Sequence, residues 1–232
     1  MKHCIRLAFG LCLLCAGLST AGFASSMYIV QGIAGRNYAV HTDPAFPVDV
    51  LLNDEVCYVH GLPFGNIQGP LTFEPGTYNM KVSIANSLAP CSNSPLIDRS
   101  VTIEPETDIS AVITLNENGA PTLLTFTNNL SPVGANNARL LFALGANSPA
   151  VQVVLVDAST KKTYTYSVSP HGLLDVSVPA GLYSVEVTQG SATLAGDGML
   201  YLDSQSVTLA YALGQASNNT VVFETRTLRD VI

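Results

Sequence analysis

Residues 74–82 read EPGTYNMKV and residues 178–187 read VPAGLYSVEV, so one chain sets proline, glycine, a spacer and tyrosine ahead of an alternating run twice. Glycine supplies the positive φ of a tight turn, and alternation of apolar with polar residues is the pattern of a half-buried strand. Tyr78, Met80 and Val82 fall on one face and Thr77, Asn79 and Lys81 on the other. Tyr183, Val185 and Val187 alternate in the same way with Ser184 and Glu186. The runs before each turn, Leu71 to Glu74 and Leu174 to Val178, alternate too, which predicts a β-hairpin in each copy.

Three further blocks recur in the same order. PVDVLL (47–52) matches PAVQVVL (149–155), ISAVITL (109–115) matches VTLAYAL (207–213), and TLLTFTNNL (122–130) matches TVVFETRTL (220–228). The offset is 181 − 76 = 105 at the turn glycines and 220 − 122 = 98 at the last block, so the first copy carries about seven extra residues, placed in NSLAPCSNSP (86–95). A period near 100 residues marks duplicated domains rather than the short units of a solenoid. The Asn-, Gly- and Pro-rich stretch 128–137 is the natural joint, giving domains at 27–131 and 137–232. Many short alternating runs between turn signals, with no long helical period, predict an all-β chain of two tandem immunoglobulin-like, Greek-key β-sandwiches. The chain has no Trp, so that likeness is one of architecture.

The first 24 residues carry Lys2 and Arg6, an apolar run from Leu7 to about Leu18 and then small residues, the pattern of a signal peptide (1–24) cut before Ser25. The run is shorter than a membrane span, and no later stretch reaches that length, so no transmembrane segment is expected in the mature chain. Export to the periplasm, the cell surface or the medium follows. Removing Lys2 and Arg6 leaves 10 − 2 = 8 basic residues against 17 acidic ones, a poor match for nucleic acid or an anionic membrane. Three of five cysteines lie in the leader, which leaves Cys57 and Cys91. In an oxidising compartment they are expected to pair, pinning the inserted loop that the cysteine-free second copy lacks.

VHTDPAFPVDV (40–50), GLPFG (61–65) and PGTY (75–78) follow one another as landmarks that resemble a bacterial family, the domain of unknown function numbered four-three-nine-seven. The residues carrying the resemblance are His41, Pro44, Pro47, Asp49, Gly65, Gly76 and Tyr78. It implies an exported or surface-located β-sandwich module, often in tandem, with no established activity. The second copy departs from it, with no histidine in FALGANSPAVQV (142–153) and Gln152 in place of Asp49.

His41, Asp43, Asp49 and His60 are of metal-ligating type, and a metal-dependent binder or hydrolase around His41, Asp43 and Asp49 is the alternative reading. The competing reading makes His41 and Asp49 hydrogen-bond partners of the backbone around the Pro44–Pro47 turn. No nucleophile elbow, zinc-protease helix or phosphate loop is present; Gly196-Asp197-Gly198 reads as a turn, His171 as a loop-tip residue and Asp54-Glu55 as part of a strand connection. The expectation is therefore a non-catalytic module without catalytic residues, cofactor or metal, contacting an unknown protein or polysaccharide through loops or sheet edges.

Overall fold

The computed structural model describes residues 24–228 apart from 40 and 197, so the leader and its cleavage point lie outside the described residues. The first half contains β1 (Ser25–Gln31), β2 (Val48–Leu52), β3 (Val56–Leu62), β4 (Ile67–Phe73), β5 (Gly76–Ile84), β6 (Ile97–Ile103), β7 (Asp108–Leu115) and β8 (Pro121–Thr127). The second contains β9 (Asn137–Leu144), β10 (Val151–Asp157), β11 (Thr163–Val168), β12 (Leu173–Pro179), β13 (Gly181–Gln189), β14 (Ala192–Gly196), β15 (Leu200–Leu202), β16 (Val207–Leu213) and β17 (Val222–Leu228). A single helical turn, α1 (Gly35–Tyr38), and a 3-10 turn at Ala216–Asn218 are the helical elements among the described residues.

The strands form four sheets, ordered β4-β1-β7-β8 and β3-β2-β5-β6 in the first half, β12-β9-β16-β17 and β11-β10-β13-β14 in the second, with β15 also pairing β13. The two halves repeat one connectivity, down to a parallel first-to-penultimate pairing: β1 with β7 and β9 with β16. All four recurring sequence blocks land on equivalent strands, β2 with β10, β5 with β13, β7 with β16 and β8 with β17. The connectivity is not that of an immunoglobulin domain, where the first strand shares a sheet with the second and fifth. Here β1 pairs antiparallel with β4 on one side and parallel with β7 on the other, so it sits inside the sheet opposite β2 and β5.

The repeated turn is not a hairpin either. β4 pairs with β1 while β5 pairs with β2 and β6, so EPGTY carries the chain from one sheet to the other, and VPAGLY does the same between β12 and β13. Neither Gly76 nor Gly181 adopts positive φ. What recurs is a tyrosine folded back over the corner: the Tyr78 hydroxyl donates to the Glu74 carbonyl and the Tyr183 hydroxyl to the Pro179 carbonyl, both at 2.7 Å. A Cβ on Gly76 would stand 3.7 Å from the Tyr78 ring, and one on Gly181 3.9 Å from the Tyr183 ring, so each glycine lies directly beneath its tyrosine. The tyrosine corner of immunoglobulin-type sandwiches uses the same device, a phenol satisfying a carbonyl a few residues upstream.

Each half buries its own core between its two sheets. Met27, Ile29, Val48, Val50, Met80 and Val82 belong to the first, together with Ala111 and Ile113 on the inward face of β7. Leu140, Phe142, Val153, Leu155, Tyr183, Val185 and Ala210 belong to the second. A third apolar layer lies between the halves: Tyr28, Val30 and Val112 from the first meet Leu141, Ala143, Leu209, Tyr211 and Leu213 from the second. β7 and β16 are consequently buried at every position, one face in their own core and the other in this layer. The glycines there leave room for side chains of the facing half, since a Cβ on Gly32 would stand 3.2 Å from the Leu213 side chain and one on Gly145 2.8 Å from that of Val112. The Gly214 N–H donates to the Gly32 carbonyl at 3.1 Å, and Asn147 Nδ2 donates to the Asn116 carbonyl at 2.8 Å.

Candidate functional site

In PVDV the valines alternate inward, Val48 and Val50 entering the core, which sends Asp49 to the other face of β2. That carboxylate is nonetheless only 2% exposed. Its Oδ1 accepts the Gly61 N–H at 2.9 Å, and its Oδ2 accepts the N–H groups of Asn86 at 3.1 Å and Cys91 at 2.8 Å. Three backbone donors satisfy a charge that would otherwise be costly to bury. Asp49 thereby ties β2 to β3 and to the loop that follows β5.

β3 is irregular opposite Asp49. Val48 pairs with Leu62, Val50 with Val59 and Leu51 with Cys57, so the register shifts twice within a few residues. Gly61, at φ +60°, takes the left-handed conformation that a bulge of this kind needs. In a regular strand Cys57 and His60, three apart, would face opposite sides. The bulges bring His60 Nδ1 to 3.2 Å from Cys57 Sγ instead.

Cys57 is bonded to Cys91 across a Cα separation of 5.9 Å, joining β3 to the inserted loop as the sequence predicts. The loop fills residues 85–96 between β5 and β6, whereas Gly190 and Ser191 alone join β13 to β14 at the equivalent place. Within it Asn86 Oδ1 accepts the N–H groups of Leu88 and Ala89, Asn86 Nδ2 donates to Ser92 Oγ, and Asn93 Nδ2 donates to the Ile84 carbonyl. Leu88, at the tip, is 95% exposed. His60, Gly61, Asp49, Asn86 and Pro90 border an open cleft of about 410 Å³ beside the loop.

The other motif residues shape this end of the first half. Asp43 Oδ1 accepts the Ala45 N–H at 2.9 Å in an Asx turn, the Pro44 carbonyl accepts from Gly35, and the Pro47 carbonyl accepts from Ala85. Gly65, at φ +82°, donates its N–H to the Gln31 carbonyl. Phe46 is wholly buried beneath the turn, with its carbonyl accepting from Gln31 Nε2 at 2.7 Å. His41 is exposed. The structure does not gather His41, Asp43 and Asp49 into one donor set; among the described residues the three-donor group is Cys57, His60 and Cys91. Gly76 and Tyr78 stand at the other end of β5, in the corner already described.

The family profile described as "Domain of unknown function (DUF4397)" matches residues 38–154. The chain belongs to this family. The DUF4397 match takes in the Asp43–Pro47 turn, Asp49, the bulged β3 and the pinned loop, and it runs on into β10. No curated protein matches the chain. Among solved structures it is similar to the Bacillus anthracis TIE protein at 10% identity and a TM-score of 0.27, over 88% of this chain and 34% of that one, so it spans about a third of that chain's length.

A second polar constellation in this DUF4397 member has no counterpart among the residues that the sequence singles out. Asp108 accepts from the Ser26 hydroxyl and, at 2.5 Å, from Asn128 Nδ2. The Ser110 hydroxyl is 3.0 Å from Asn128 Oδ1 and 2.7 Å from the Tyr211 hydroxyl of the other half. Burial pushes the Asp108 carboxyl above its ordinary range and the Tyr211 phenol well above its own. An open cleft of about 660 Å³ bordered by Ser26, Asp108, Asn128 and Leu130 lies at the edge of this network. Its signal in the sequence is slight: Ser110 and Tyr211 are polar interruptions in strands that are otherwise largely apolar on both faces.

Proposed function

We propose that the chain is an exported, non-catalytic binding or surface-display module built as two tandem β-sandwich domains, 27–131 and 137–232, with the first presenting its inserted loop to a partner. The observation that carries this reading is the loop itself: a disulfide, the Asp49 carboxylate and the Asn86 side chain all hold it, yet its tip is the nearly fully exposed Leu88. An apolar side chain on a held loop loses little conformational freedom on binding, which is the advantage of a preorganised contact. The partner class it suits best is a protein surface with an apolar pocket; polysaccharide is the second class. Asp49 and Asp43 spend their carboxylates on backbone N–H groups, which supports a structural role for the motif over the metal-dependent or hydrolytic alternative.

The test is a binding screen of mature protein against cell-envelope proteins and a glycan panel, repeated with Leu88→Ser and with residues 86–95 replaced by a Gly-Ser turn. Binding that falls at least tenfold in both variants is expected; binding unaffected by either would remove the loop from the interface. Export is tested separately by mass spectrometry of the product outside the cytoplasm. A mature N-terminus near Ser25 is expected, and an intact Met1 would refute it.

A further inference from the structure

The group Cys57, His60 and Cys91 has a chemistry that holding a loop does not use. The two sulfurs and a ring nitrogen of His60 lie within 4.8 Å of one another. Cys57 and Cys91 are half-buried and His60 is exposed, so solutes reach the group. The bulges of β3 are what place His60 there, since regular alternation would turn it away from Cys57.

We propose that the bridge masks a thiol-gated site for a zinc-class divalent ion. An external dithiol transfers two electrons and two protons to the Cys57–Cys91 disulfide: the S–S bond breaks, two cysteine thiols form, and the dithiol leaves as its own disulfide. The ion then binds both sulfurs as thiolates with release of two protons, and the neutral His60 Nδ1 supplies the third bond. A tetrahedral zinc ion with Zn–S bonds of about 2.3 Å and Zn–N bonds of about 2.0 Å holds its donors roughly 3.5–3.8 Å apart. His60 Nδ1 and Cys57 Sγ already stand 3.2 Å apart, so the main adjustment is for the released Cys91 sulfur to withdraw. Asp49 keeps Cys91 near through its backbone N–H, independently of the disulfide. Three protein ligands leave a fourth position for water or another small donor, and His60 also borders the open cleft beside the loop. This site does not rest on the binding role proposed for Leu88.

The experiment is anaerobic titration of the mature protein with Co²⁺, and then Zn²⁺, before and after reduction on an immobilised phosphine, with near-ultraviolet circular dichroism recorded on both forms. Reduced protein is expected to take up one equivalent of Co²⁺ with thiolate-to-cobalt charge-transfer absorption, to release two protons per ion, and to yield the ion to Zn²⁺. Oxidised protein should show none of this. His60→Ala, reduced, should bind at least about tenfold more weakly. The proposal is overturned if reduced and oxidised protein bind Co²⁺ alike, if His60→Ala binds as tightly as wild type, or if reduction itself abolishes the native near-ultraviolet signal. Comparing the two redox forms of the wild type needs no variant to fold.

Discussion

Asp157 closes the turn between β10 and β11. Its Oδ1 accepts from the Ser159 hydroxyl and N–H, both at 2.7 Å, and from the Thr160 N–H at 2.8 Å, and these bonds, the Ser159 hydroxyl foremost, hold its carboxyl down at about 2. A carboxyl whose folded value lies below its unfolded one stabilises the fold above the unfolded value of 3.8 and loses that contribution as pH falls towards about 2. Asp157→Asn should therefore lower the melting temperature at pH 6, with the gap to wild type closing between pH 4 and about 2. Thermal melts across that range check it; a gap that widens in acid would contradict the assignment. The corner tyrosines give a paired test. Tyr183→Phe removes the bond to the Pro179 carbonyl at a fully buried ring and should cost about 1 kcal/mol in urea unfolding. Tyr78→Phe, at a more exposed corner, should cost less. For Asp49→Ala, loss of an acceptor serving three N–H groups should cost roughly 3 kcal/mol.

At the scale of an element, the 85–96 loop is one of two places where the first half is much longer than the second, the other being the 32–47 connection that carries α1. The cysteines are 34 positions apart, and the chain-entropy model assigns a bridge of that span about 3–4 kcal/mol before strain. Cys57→Ala with Cys91→Ala should lower the unfolding free energy by about 2–4 kcal/mol without moving the β5–β6 pairing, because Asp49 and Asn86 still hold the loop base. Hydrogen exchange should then rise at residues 87–92 and remain slow in β5. Fast exchange throughout β5 would mean that the bridge supports the sheet and not only the loop.

Across the whole molecule, the apolar layer between β1/β7 and β9/β16 joins the two halves. The connection at 131–136 is largely exposed, while Asn128 on its near side is buried and bonded to Asp108. Limited proteolysis should cut within 131–136, and the two fragments should still co-elute on gel filtration, since Tyr28, Val112, Leu209 and Tyr211 would otherwise face water. Fragments that separate at once would show that the layer is too weak to hold them. Val112→Asp, which puts a carboxylate between the halves, should release them after cleavage.

Repetition and alternation by themselves determined that the chain is all-β, that its blocks recur on equivalent strands, and that Cys57 and Cys91 pair, because period-two patterns and cysteine counts are local or compositional properties. They did not determine the route of the chain. A turn between two alternating runs reads the same whether the strands pair with each other or cross between sheets, and only tertiary pairing made the Gly76 and Gly181 turns into tyrosine corners. The same holds for the motif residues. His41, Asp43 and Asp49 look alike as potential ligands in the sequence, but the fold spends both carboxylates on backbone N–H groups and leaves His41 exposed. His60 came to Cys57 through a register shift in β3, and a bulge depends on what the partner strand does rather than on any residue pattern within the bulged one.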